Sequence, residues 1–202
     1  MITLPRITIK FLPSSILLFF ISILFSLDIT AQGKISKNKK AIINSLENKR
    51  ERLIEISDNI WEAAEPALLE FKSSKYLSDY AEENGFTVER GVAGIPTAFT
   101  AKFGSGRPII GIMGEFDANP GISQKKQPTK EPLVKGAAGH GCGHNLFGTA
   151  SLGAAIAIKE MIESGEISGT VRFYGTPAEE TIFAKVWMVR AGLFDDLDVC
   201  MD

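Results

Sequence analysis

The sequence is short of net charge, of histidine and of cysteine. Its 22 lysines and arginines nearly offset 24 aspartates and glutamates, for a formal net charge of -2. That balance provides no electrostatic footprint for nucleic acid and none for an acidic ligand. No internal repeat is present, which removes solenoid architectures. The two cysteines, Cys142 and Cys200, permit at most one disulfide, and only in an oxidising compartment. Cys142 lies between glycines and close to both histidines, a setting suited to metal binding. Cys200, in the apolar stretch 197–201, reads as a small core residue. The histidines, His140 and His144, fall in one short segment. The rest is ordinary for a folded chain, 45% hydrophobic and 23% charged.

One long apolar run exists, from Phe11 to Leu27, with Arg6 and Lys10 before it and small Ala31 after it. A basic start, an apolar centre and a small exit residue describe a cleaved secretory signal over residues 1–31. That implies an exported, periplasmic or extracellular protein. The alternative is an uncleaved membrane anchor, since the run is nearly long enough to span a bilayer. Residues 32–40, rich in lysine, read as a solvated linker.

From Ala41 to Ala64 apolar residues recur at helical spacing, and Ser73 to Asn84 reads as a second helix, capped by Ser73 or Ser74 and ended by Gly85. Strands are expected at 86–88, 97–103 (with a turn at Gly104-Ser105-Gly106), 109–116, 170–174 and 197–201, and a buried helix at 146–162. Residues 122–139 form a long polar loop. Strand–helix alternation of this kind predicts an α/β fold, a sheet with helices on its faces. Such sheets gather ligands beyond the carboxyl ends of their strands. Asp117 follows one core strand, Glu179-Glu180 follow another, and the Cys142/His144 loop enters a helix.

The chemistry of these groups fits a transition-metal hydrolytic site. In an extended loop, residues two apart point the same way, so Cys142 and His144 could reach one cation or bridge a close pair. Thiolate with imidazole favours zinc or a neighbouring first-row metal. Glu180 would ligate, while Glu179 would take a proton from water and pass it to a leaving nitrogen. Without the upstream motif, Glu179-Glu180 would read as an exposed acidic turn. His140 either orients the loop through a hydrogen bond or ligates directly. Asp117 either orients His144 or caps the turn at Asn119-Pro120-Gly121. Asn145, next to His144, is placed in the same supporting layer behind the ligands.

The strings Gly114–Ala118 (GEFDA), Gly139–Asn145 (GHGCGHN) and Gly175–Glu180 (GTPAEE) resemble the amidohydrolase branch of the M-twenty metallopeptidase family. The likeness is greatest to hydrolases of the aminobenzoyl-glutamate type and of N-acyl amino acids or dipeptides, and it runs from about Trp61 onward. It implies a zinc-peptidase-like mixed α/β sheet and two divalent metal ions, zinc or manganese. Residues matching Cys142, His144 and Glu180 are ligands there, and the one matching Glu179 is the general base. It implies a small-molecule amide substrate and a homodimer in longer relatives.

Three departures accompany the resemblance. Relatives are about twice as long and carry a smaller dimerisation or lid domain, which has no counterpart here. Two further histidine ligands are expected, one just after the strand that starts at Leu197 and one near a later C-terminus. Asn145 stands where many members have Asp, and Asn119 where Leu is common. The expectation is therefore that residues 41–202 form the amino-terminal half of a catalytic domain, with a partial metal site that is inactive by itself. The alternative is a non-catalytic remnant that binds metal or a partner.

Overall fold

The computed structural model describes residues 35–202. The signal or anchor reading of residues 1–31 lies outside the described residues. Among the described residues, no helix is long and apolar enough to cross a membrane. The elements run α1 (Lys37–Asn48), α2 (Arg50–Ala63), α3 (Phe71–Glu83), β1 (Thr87–Arg90), β2 (Phe99–Ser105), β3 (Ile109–Glu115), α4 (His144–Glu163), β4 (Gly169–Thr176), α5 (Ala184–Arg190) and β5 (Val199–Met201).

β3 and β4 are the most buried strands, and they lie inside a five-stranded mixed sheet of order β1-β2-β4-β3-β5. β3 pairs parallel with β4 and with β5, while β1–β2 and β2–β4 are antiparallel. A parallel pair needs a crossover, and α4 supplies it. Glu115 pairs with Thr176, so β3 and β4 end side by side and pointing the same way. α4 runs back along the sheet, which brings its amino terminus to that same end. This placement builds the site.

Alternation along the strands splits the core. Phe99, Ala101, Ile112, Val171 and Phe173 face one way, onto Ile56 and Ile60 of α2, Leu77 and Tyr80 of α3, and Leu152 and Ile156 of α4. Met113 and Tyr174 face the other way, with Ala184 and Met188 of α5, Val92, and Leu193 and Phe194. Helices thus cover both faces, as a sheet with parallel strands at its centre requires.

Several boundaries differ from the sequence reading. Lys37–Lys40 are the first turn of α1, capped by Ser36, so the linker ends before residue 40. The helix expected over 41–64 is two helices, because Lys49 leaves helical geometry (φ -105°, ψ 1°) and turns its ammonium to Glu160 of α4. Helix α3 begins at Phe71, so Ser73 and Ser74 lie inside it. Its cap comes from further back, where the Glu65 carboxylate accepts the Lys72 and Ser73 amides at 3.1 and 2.9 Å and the Ser73 hydroxyl at 2.8 Å. β2 continues through Ser105. Cys142 and Cys200 are both free and exposed. Cys200 is not a core residue because β5 is a short edge strand with all three residues exposed. Helix α5 is too short, at seven residues, to show a clear period, and the pattern of the chain does not announce it.

Candidate metal centre

His144 is the first residue of α4, and its helix start follows Gly143, whose φ of 86° favours glycine. Cys142 and His144 therefore do not converge by alternation in an extended loop, since one is in a loop and the other in a helix. The left-handed turn at Gly143 brings them together instead: Cys142, His144 and Glu180 each present one ligand atom within 4.8 Å of the others. Glu115, His144 and Glu179 form a second group within the same distance.

The imidazole of His144 is buried and fixed from both sides. Its Nδ1 lies 2.9 Å from Asp117 Oδ1 and 3.1 Å from the Asp117 carbonyl. Its Nε2 faces Glu115 Oε2 at 2.9 Å, Glu180 Oε1 at 3.8 Å and Glu179 Oε2 at 3.9 Å. Asp117 is buried and takes a second bond, from the Glu180 amide to Oδ2 at 2.9 Å. One carboxylate thus ties the helix start to the loop after β4. Its side chain is not engaged in the Asn119-Pro120-Gly121 turn.

This crowd of carboxylates governs protonation. Burial alone would lower the pKa of His144, but hydrogen bonds to Asp117 and Glu115 push it up to about 11. Glu115 is opposed by burial yet held below the ordinary range by His144 and Lys185. Glu179 moves upward through burial and the charges of Glu115 and Glu180, which suits a group that must accept and release a proton. Glu180 Oε1 is buried with no hydrogen-bond partner among the described residues. An orphaned carboxylate oxygen facing imidazole, with a thiol in reach, is a donor set that fits a divalent transition metal.

Two sequence candidates bond to α2: His140 in keeping with its reading as a loop-orienting group, Asn145 away from the donors. His140 joins neither metal-compatible group; its Nε2 meets the Ile60 carbonyl at 3.0 Å, and its Nδ1 is buried without a partner among the described residues. Burial lowers its pKa. Asn145 does not use its amide on the cluster: Nδ2 donates to Ser57 Oγ at 3.1 Å and so binds α4 to α2, because helical rotation turns the residue after His144 to another face. Two participants were missed. Glu115 carries the same signal as Asp117, an acid at the end of a buried strand. Lys185 pairs with Glu115 and, at 2.9 Å, with Asp202, and no local motif announces it. A cleft of about 330 Å³ lies beside the Cys142 loop, lined by Trp61, Ile122, Val134, Gln124, His140 and Gly141 among others.

Known proteins resemble this chain in sequence and in fold. The sequence profile of Peptidase family M20/M25/M40 matches residues 111–201. The chain is 47% identical over 163 residues to one of the subunits of p-aminobenzoyl-glutamate hydrolase from Escherichia coli (strain K12), covering 79% of this chain and 34% of that protein. It is 30% identical over 173 residues to the Xaa-Arg dipeptidase of Mus musculus, covering 80% of this chain and 36% of the dipeptidase. The chain thus spans about a third of the length of these relatives. A dinuclear metal-binding peptidase of the M20 family from Bacillus subtilis superposes with a TM-score of 0.65 at 26% identity, over 76% of this chain and 42% of that one. Sequence profile, identity to curated relatives and shared fold agree, and the chain belongs to the M20 peptidase family.

Proposed function

We propose that this chain supplies the general base and one face of the metal site of an amidohydrolase. Its substrate class is an N-acyl amino acid or dipeptide-like amide of the aminobenzoyl-glutamate type. The observation that carries the reading is the buried, unpartnered Glu180 Oε1, 3.8 Å from His144 Nε2 and grouped with Cys142. Identity to a relative named for p-aminobenzoyl-glutamate supports the substrate class.

Cys142, His144 and Glu180 would hold the cation, and their donor chemistry suits zinc or manganese. A divalent cation bound there would polarise the substrate carbonyl and make water at the site more acidic. Asp117 keeps His144 Nδ1 engaged, so that Nε2 faces the site. Glu179, raised in pKa and partly exposed, takes a proton from the attacking water. Water oxygen bonds to the carbonyl carbon, the C–N bond breaks, and Glu179 passes the proton to the departing nitrogen. The cleft beside Trp61 and Ile122, whose lining includes His140 and Gly141, would take the substrate's acyl part.

Both metal-compatible groups draw on His144, and one Nε2 serves one cation, so the described residues frame a single position at a time. Three protein donors and a water could complete one catalytic zinc position, but a second ion would lack an imidazole. A two-metal reaction would need donors beyond the described residues, and hydrolysis without them is expected to be negligible. The name of the Escherichia coli relative, a hydrolase subunit, supports a partner. The basic, apolar and small-residue order of residues 1–31 supports export.

Calorimetric titration with zinc and with manganese tests the reading. Cys142→Ser and Glu180→Ala should each weaken binding at least tenfold, since losing even a group that only orients a ligand costs about 10–100-fold. Glu179→Gln should leave binding intact and abolish hydrolysis once the remaining donors are supplied. Unchanged affinity in both ligand variants would overturn the proposal.

A further inference from the structure

Glu70 is fully buried immediately before α3, and no salt bridge reaches it among the described residues. Its Oε1 accepts the Ala178 amide at 2.9 Å, and its Oε2 accepts the Thr97 hydroxyl at 3.1 Å. Burial raises its pKa against the pull of these bonds. A buried acid without a cation is costly to keep, and the site described above makes no direct use of it.

Its partner explains the placement. Ala178 directly precedes Glu179, is fully buried, and has a φ of 59°, a left-handed geometry that residues other than glycine avoid. Such a residue persists only where its surroundings hold it. The Ala178 carbonyl accepts the Phe183 and Ile182 amides at 2.8 and 3.2 Å, closing the turn behind it. The Ala178 amide goes to Glu70, and the Glu180 amide goes to Asp117 at 2.9 Å. Glu179 therefore lies between two amides, each held by a buried carboxylate.

We propose that Glu70 is a positioning residue, which through the Ala178 amide sets the direction of Glu179 and Glu180. The inference rests on the functional reading above, and it deepens that reading by adding a residue 108 positions away in sequence.

The test uses the full chain with three substitutions. Glu70→Leu fills similar volume without an acceptor, Glu70→Gln keeps one, and Thr97→Val removes only the second bond. Zinc affinity and amide hydrogen exchange at residues 178–180 are measured for each. Glu70→Leu should speed exchange at those amides, leave exchange in β4 unchanged, and weaken zinc binding about tenfold, the low end of losing a group that orients a ligand. Glu70→Gln should restore both to near wild type, and Thr97→Val should fall between. If Glu70→Leu fails to fold, the contrast between Glu70→Gln and Thr97→Val decides. Unaltered exchange and affinity in Glu70→Leu, or a Gln variant as impaired as the Leu variant, overturns the proposal. A wild-type chain that binds no zinc would instead refute the functional reading, and the exchange data would still decide whether Glu70 holds the turn.

Discussion

Replacing Gly148 with alanine sets two opposed effects against each other on α4. In a helix interior alanine is favoured over glycine by about 0.8–1.0 kcal/mol. A Cβ at Gly148, however, would lie 2.4 Å from the Glu115 carbonyl oxygen. That oxygen belongs to β3, whose Glu115 end is paired in register with Thr176 of β4 and cannot retreat alone. Overpacking of this kind costs about 1–3 kcal/mol, so the contact should outweigh the propensity. Gly153, further along the same helix, is the control. There a Cβ meets the ends of Leu46 and Leu53 at 3.3 Å, and flexible side-chain tips can shift. Gly153→Ala should be neutral or stabilising by up to about 1 kcal/mol, and Gly148→Ala destabilising by up to about 2 kcal/mol, the overpacking cost less the propensity gain. Thermal unfolding by circular dichroism reads the difference as a shift of about 2–4 °C per kcal/mol at this chain length. Because Glu115 also faces His144, Gly148→Ala should weaken zinc binding as well. Equal shifts of the same sign in both variants would refute the reasoning.

Three further outcomes follow from the electrostatics and the buried polar groups. Glu70 has a folded pKa above its ordinary value, so its stabilising contribution is full below that value and is lost as pH rises through the folded one. Glu70→Gln should therefore be more stable than wild type at pH 7, with the gap closing toward pH 4 in urea denaturation; a constant gap would contradict the sign. His144, pushed up to about 11, is protonated at neutral pH, and ligation through Nε2 requires the neutral ring. Zinc uptake should release at least one proton and strengthen as pH rises, measured by calorimetry in buffers of different ionisation enthalpy; release of none would count against His144 as a ligand. Tyr174 is fully buried and donates to the Leu193 carbonyl at 2.6 Å, so Tyr174→Phe should cost about 1–3 kcal/mol in denaturant unfolding.

The sequence alone determined the parts that depend on local pattern and residue chemistry. The strand at 109–116, the helix at 146–162 and the strand at 170–174 were legible because each is strongly apolar. The soft thiol, the imidazole and the paired acids after a core strand marked the candidate donors. Tertiary structure decided what depends on distant neighbours. The parallel in-register pairing of β3 with β4 sets Asp117 beside Glu180, and the left-handed Gly143 turns Cys142 and His144 toward one point. Lys185, Glu70 and the cap from Glu65 stayed invisible because each acts across space on a backbone amide or a charge that no short motif encodes. Asn145 shows the converse, since adjacency to His144 in the chain counts for little once a helix rotates successive side chains to different faces.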